Sequence, residues 1–320
     1  MIPKRWFISL ALFIPATNLM ILPLLIYYFD QLPLIAWILA VFQLAFGLFI
    51  LNRVKGKMNF SWPFFVASRL RPKPFSWLGF TGFLCINLFV LVPFVVMYLV
   101  SCASVAVSHF TDGFVSLRPE GLVMQVRNYV RDDGKKVQLA PMSHVGEATF
   151  YQSLNQSFPD HAVVLMEGVT DQGNLLQSKT GYSRMAKSLG VSEQQHEFKP
   201  KGELVAADVD IRMFNQETLD LIDKAMLIHS KGMTAETLSS ILKPTPEHLE
   251  KLLWEDLLTK RNAHLLEVLH ARLPQSQIII VPWGALHMPE ISEKLLGSGF
   301  RVESTEDHVA IRFSSLFAPR

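Results

Sequence analysis

Three apolar runs, at about residues 7–28, 33–51 and 78–107, each reach the roughly 20 residues that a helix needs to cross a bilayer. Such unbroken runs mark helices that face lipid, because strands and amphipathic helices alternate apolar with polar positions. The first two are joined by the short segment Phe29-Asp30-Gln31-Leu32-Pro33 and read as a helical hairpin. Pro15, Pro23 and Pro93 lie inside the runs, where membrane helices tolerate proline better than soluble ones do. No Ala-x-Ala-like site closes the first run and a second follows at once, so it reads as an anchor rather than a cleaved signal peptide.

The charges divide the chain in two. Up to residue 110 the only acid is Asp30, whereas from Thr111 onward there are 22 basic and 27 acidic residues, a formal charge of −5. Lys4 and Arg5 precede the first run, six Lys and Arg occupy the connector 52–74, and residues 29–33 have none. Under the positive-inside rule the amino terminus and the connector are expected in the cytoplasm, and three crossings would deliver the rest to the extracytoplasmic side. The connector mixes its bases with Phe60, Trp62, Phe64 and Phe65, a composition suited either to an anionic lipid surface or to a solvated loop. Both cysteines, Cys85 and Cys102, sit in the third run, so the second half has neither a disulfide framework nor a cysteine nucleophile. Its negative charge and lack of a basic stripe argue against nucleic acid as a partner.

From residue 111 to 320 the pattern is that of an α/β domain, a mixed sheet flanked by helices. Gly121–Val130 alternates like a strand, Arg131–Lys135 reads as a turn, and 137–141 as the returning strand. Further strands are expected at 162–166, 203–208 and 277–281, with two last ones near 299–304 and 308–313. Helices are expected at 147–157, 172–189, 215–229, 234–242, 246–272 and 289–297. The long one is entered through Thr245-Pro246-Glu247, a threonine cap followed by proline at the first turn. In sheets of this kind ligands bind beyond the carboxyl ends of the strands.

Those strand ends carry reactive side chains. His144 follows the strand at 137–141, Glu167 follows 162–166, Asp208 and Asp210 follow 203–207, and His287 follows 277–281. A right-handed βαβ unit would set the strand ends bearing His144 and Glu167 side by side. Both histidines have a glutamate three residues on, Glu147 and Glu290, a short internal echo. Two imidazoles and a carboxylate suit a divalent metal that keeps a position open for water, although spacing this loose also fits hydrogen-bonding histidines. Glu167, directly after Val-Val-Leu-Met, should be partly buried and needs a cation or donors. Arg261-Asn262 in the long helix could supply them, or could form an ordinary helix salt bridge. Asp208 and Asp210 divide evenly between site and helix-capping roles.

The order His144-Val-Gly, Val-Val-Leu-Met-Glu167-Gly, Arg261-Asn262 and Val-Pro-Trp-Gly284-Ala-Leu-His287-Met-Pro-Glu-Ile resembles the TraB/PrgY/GumN/Tiki family, relatives of erythromycin esterase and ChaN-like proteins. The resemblance covers about residues 120–305. The family's hallmark is two Gly-x-x-His motifs with a glutamate and an Arg/Asn element between them. Gly284-Ala285-Leu286-His287 matches one motif fully, while Pro141 takes the glycine position of the other. The resemblance implies a membrane-anchored, Tiki-like metal-dependent hydrolase or metallopeptidase acting on a peptide or protein. A divalent ion of manganese or cobalt type, or zinc, would be held by His144, Glu167 and His287, with Asp208 as a further candidate. Glu167, Arg261 and Asn262 would be the catalytic set. The alternative within the family is a catalytically inactive, TraB/PrgY-like module that binds or sequesters a peptide or membrane partner.

Overall fold

A computed structural model describes residues 17–55, 77–171, 192–231 and 248–316. It divides into two units, Met1–His109 and Phe110–Arg320.

In the first unit, α1 (Leu32–Lys55) and α2 (Trp77–Phe110) contain two segments long and apolar enough to cross a membrane, Leu32–Asn52 and Trp77–Phe110, with mean hydropathies of 2.5 and 2.6. Apolar side chains face outward all round, Trp37 at 73% exposure and Leu78 at 86%, as lipid-facing helices require. Of the run expected at 7–28, the described part is the short apolar helix Thr17–Tyr27; the rest, like most of the connector 52–74, lies outside the described residues. Polar side chains tie these elements together: Gln43 donates to Thr17 Oγ1 and Asn18 Oδ1 (2.9 and 3.0 Å), and Tyr98 to the Leu19 carbonyl (2.9 Å). Within α2 the turn Asn87–Leu91 widens to π-helical spacing just ahead of Pro93. The wider turn accommodates a ring that would clash with the preceding turn and a residue that has no N–H to donate.

The second unit is built on a seven-stranded mixed sheet. Its strands are β1 (Val115–Arg118), β2 (Gly121–Val130), β3 (Lys136–Leu139), β5 (Val163–Met166), β7 (Glu203–Ala206), β8 (Ile278–Val281) and β9 (Arg301–Arg312). Two short strands, β4 (Val145–Gly146) and β6 (Ser192–Glu193), pair separately. The antiparallel strand β2 carries β9 along one edge and β1 and β3 on the other. From β3 the sheet continues in parallel through β8 and β5 to β7. The sequence explains this division. β5 (Val-Val-Leu-Met) and β8 (Ile-Ile-Ile-Val) are apolar at every position and buried on both faces, as central parallel strands must be. Val163, Leu165, Ile279 and Val281 enter one core with Leu265, Leu269 and Leu273. The intervening Val164 and Ile280 are equally buried.

Helices follow the strands. α3 (Ala148–Ser157) buries Phe150, Tyr151 and Leu154, and α4 (Gln216–Lys231) follows β7. The long helix runs through Leu249–Trp254 and a π-turn at Glu255–Thr259 into α5 (Lys260–Arg272), and α6 (Met288–Gly297) packs beside α5. The π-turn lets Asp256 face inward, where it accepts from the Asn215 N–H (2.8 Å) and from Lys260 Nζ (2.7 Å), securing the start of α4. Burial opposes the charge of Asp256, but Lys260 and these donors hold it below the usual carboxylate range.

Two sequence expectations change. The strands bearing His144 and Glu167 are not neighbours, because β8 lies between β3 and β5. The two last strands are one, β9, which pairs with β2 throughout and absorbs two register shifts. Its Thr305-Glu306-Asp307 segment looks like a turn in sequence because it sits exposed on a sheet edge. The helices expected at 172–189 and 234–242, and the cap at 245–247, lie outside the described residues.

Candidate functional site

The order β3-β8-β5-β7 sets four strand ends in a row, bearing in turn His144, the Gly284-to-His287 segment, Glu167 and Asp208. The ladder between β3 and β8 outlasts both strands: Ala140 donates to Val281, Met142 to Trp283, and Met142 bridges Gly284 in parallel. The two candidate motifs therefore begin side by side. Beyond the bridge one chain turns into the single 3-10 turn Ala285–His287, and the other continues to His144.

Gly284 has φ −52° and ψ 141°. That backbone is open to any residue, so its place is not explained by a left-handed conformation, and Pro141 in the matching position carries no penalty of that kind. What Gly284 does is approach Glu167. Its N–H donates to Glu167 Oε2 at 2.6 Å, and an added Cβ would sit 3.5 Å from that oxygen and 3.6 Å from His287 Cδ2.

The centre of the arrangement is Arg261, on the first turn of α5. Its Nη2 donates to Glu167 Oε1 and to Asp208 Oδ2, both at 2.7 Å, and its Nε to Asp208 Oδ1 at 3.0 Å. Its Nη1 reaches the Leu257 carbonyl at 3.4 Å and His287 Nε2 at 3.2 Å. The guanidinium carbon lies 5.4 Å from the ring centroid of the fully buried Trp283, whose indole N–H is fixed on the Leu165 carbonyl. Asp208 also accepts the Gly168 N–H at 3.0 Å. Burial opposes the charge on Arg261, yet the Asp208 and Glu167 carboxylates raise it further above its ordinary value.

The tautomer of His287 follows from its neighbours. Asn262 donates through Nδ2 to Glu290 Oε2 at 2.6 Å, so its Oδ1, 2.6 Å from His287 Nδ1, can only accept. The imidazole hydrogen is thereby placed on Nδ1, and Nε2 presents its lone pair to a guanidinium that can only donate. Burial, reinforced by the Arg261 charge and opposed by Glu167 and Asp208, lowers His287 to about 4. It is a neutral imidazole, and its 3.7 Å approach to Glu167 is not an ion pair.

Glu167, Asp208, Arg261, Asn262 and His287 are thus brought together as the sequence suggests, with Asn262 orienting His287 rather than Glu167. Asp210 takes the capping role: its side chain accepts from the Arg212 N–H at the turn Ile211–Met213. Glu147 and Glu290 also part, the former binding Arg312 and the latter holding Asn262. His144 is exposed and joins the others only across a shared cavity of about 520 Å³, lined by His144, Glu167, Arg261, Glu193, Gln194 and Phe198. The Gln194 N–H donates to the His144 carbonyl, and Tyr151, whose phenol burial pushes up, donates to the Ser143 carbonyl, so this wall is anchored through its backbone. Sequence reasoning missed Glu193 and Gln194, and it named Glu290 for its spacing from His287 without its role of holding Asn262.

The divalent ion implied by the resemblance does not fit this arrangement. The single lone pair of His287 Nε2 and one oxygen of Glu167 are engaged by Arg261. No three His, Cys, Asp or Glu side chains form a metal-ion ligand set among the described residues. Compared with protein-family models, with curated proteins and with solved structures, the chain matches none.

Proposed function

We propose that this chain is a membrane-anchored hydrolase of TraB/Tiki-like type, whose α/β domain works on peptide segments outside the cytoplasm. The observation that carries the reading is the mounting of Glu167: a carboxylate fixed by Arg261 and the Gly284 N–H, on the cavity that His144 also lines. Each of its oxygens accepts one fixed bond and keeps a second lone pair. Glu167 would take the proton of a water attacking a carbonyl in the cavity, and His144 would return a proton to the leaving group. Asp208, Asn262 and His287 would act at one remove, holding Arg261 and Glu167 in position.

The test is cleavage of a mixed peptide panel, followed by mass spectrometry, with the full chain in detergent. Glu167→Gln is expected to slow turnover by on the order of 10²-fold, and unchanged turnover in that variant would refute the role of Glu167. A second reading, a binding module without catalysis, is favoured by the saturation of Arg261, whose own N–H groups are all engaged and so are not aimed at a developing oxyanion. Peptides retained uncut by wild-type protein would select it.

For the membrane placement, a periplasm-active phosphatase fused after Arg320 is expected to be active, because the Lys and Arg of the chain's first half cluster before the first apolar run and in the connector. An inactive fusion, with a cytoplasm-active reporter working at the same position, would reverse the orientation.

A further inference from the structure

We propose that Arg261 is the resident cation of this site: its guanidinium occupies the space between the Glu167, Asp208 and His287 side chains in place of a divalent metal, so the domain is complete without one. Three metal-capable side chains from three different strand ends converge on one group, and that group is a guanidinium. Glu167 Oε1 and Asp208 Oδ2 both lie 2.7 Å from Nη2, Asp208 Oδ1 lies 3.0 Å from Nε, and His287 Nε2 lies 3.2 Å from Nη1.

Ion and guanidinium exclude each other here. A first-row metal binds imidazole along the lone pair at about 2.0–2.2 Å, and the one lone pair of His287 Nε2 already accepts from Nη1 at 3.2 Å. An ion on that line would meet a cationic nitrogen well inside contact distance. The surrounding structure holds the guanidinium in place from the other sides, through the Leu257 carbonyl and the Trp283 ring. Orientation points the same way. Asn262 and Glu290 fix the His287 hydrogen on Nδ1, the tautomer a metal site uses to aim Nε2 at its ion. A ligand-grade imidazole is therefore built and then spent on an arginine.

Removing the guanidinium leaves two carboxylates and one imidazole lone pair around a vacated volume, the donor types that bind divalent cobalt, manganese or zinc. The experiment uses the full chain, purified in detergent without a polyhistidine tag, dialysed against cobalt or zinc and then against buffer. Elemental analysis and the visible absorption of bound cobalt are the readouts, and neither depends on hydrolysis. Wild type is expected to retain fewer than about 0.1 ion per chain, and Arg261→Ala about one, with tenfold weaker retention when His287→Ala is added. One ion per wild-type chain, lost in His287→Ala, overturns the proposal whatever becomes of the variant's folding. So does an Arg261→Ala protein that keeps its circular dichroism and resistance to proteolysis yet retains no metal.

Discussion

Arg261→Met is expected to destabilise the α/β domain by about 3–5 kcal/mol, the cost of leaving buried charge without its partner. Arg261 and Glu167 have side chains only 11% and 12% exposed, and Asp208 1%. Methionine fills similar volume but donates nothing, so both carboxylates would lose their counter-charge, and the four hydrogen bonds that Asp208 accepts would fall to the two from the Gly168 and Val209 N–H groups. Lysine would not restore the arrangement. A point charge cannot fix the directions of two carboxylates and an imidazole, as a fork of fixed donors does. Denaturant unfolding of the detergent-solubilised chain measures the effect, and Arg118→Met supplies the control. Arg118 pairs with Asp307 at 2.7 Å, but the two side chains are 40% and 39% exposed, and an exposed pair contributes at most about 1 kcal/mol. Equal losses in the two variants would show that Arg261 is not the hub of the site.

The second large effect is one of pH. His287 has a folded value near 4 against the ordinary 6.5, so the native state prefers the neutral ring and binds fewer protons than the unfolded chain in that interval. Stability tied to this group is therefore complete above about pH 6.5, falls as the pH drops from there towards 4, and levels off below. The total is on the order of 3 kcal/mol from a shift of this size. The direction is set by burial first and then by Arg261, since Glu167 and Asp208 both favour the protonated ring. Other groups titrate over part of the same range, so the informative quantity is a difference. Unfolding free energies of wild type and the non-titrating His287→Gln should converge as the pH is lowered from 7 to 4. Parallel curves would remove His287 from the account.

Much of the site was legible because strand ends are legible. Val163–Met166 and Ile278–Val281 announce themselves as buried parallel strands, and the first polar side chains beyond them include Glu167 and His287. Arg261-Asn262 was legible as a partner for Glu167, since a carboxylate emerging from such a strand needs a donor. The number of groups Arg261 serves was not. One arginine on a helix reads the same whether it makes one ion pair or joins four neighbours. Neighbourhood in the sheet was also hidden: proximity in sequence favours pairing the strands before His144 and Glu167, and a strand from much later in the chain lies between them. The role of Gly284 was hidden for a related reason. A glycine at a strand end suggests unusual dihedrals, whereas here the backbone is ordinary and the glycine lies against a carboxylate.

The placement of β8 also sets a timetable for synthesis. Residues of β3 and β5 leave the ribosome long before Ile278–Val281, yet each pairs with β8. Until that segment is made, each of the two lacks a neighbour, and Glu167 lacks the Gly284 N–H. Arg261 precedes His287 in the chain, so both carboxylates are made before it and the imidazole after it. The half-made domain thus carries its own stopper: the charges at its open seam can neutralise one another before the central strand arrives to close it.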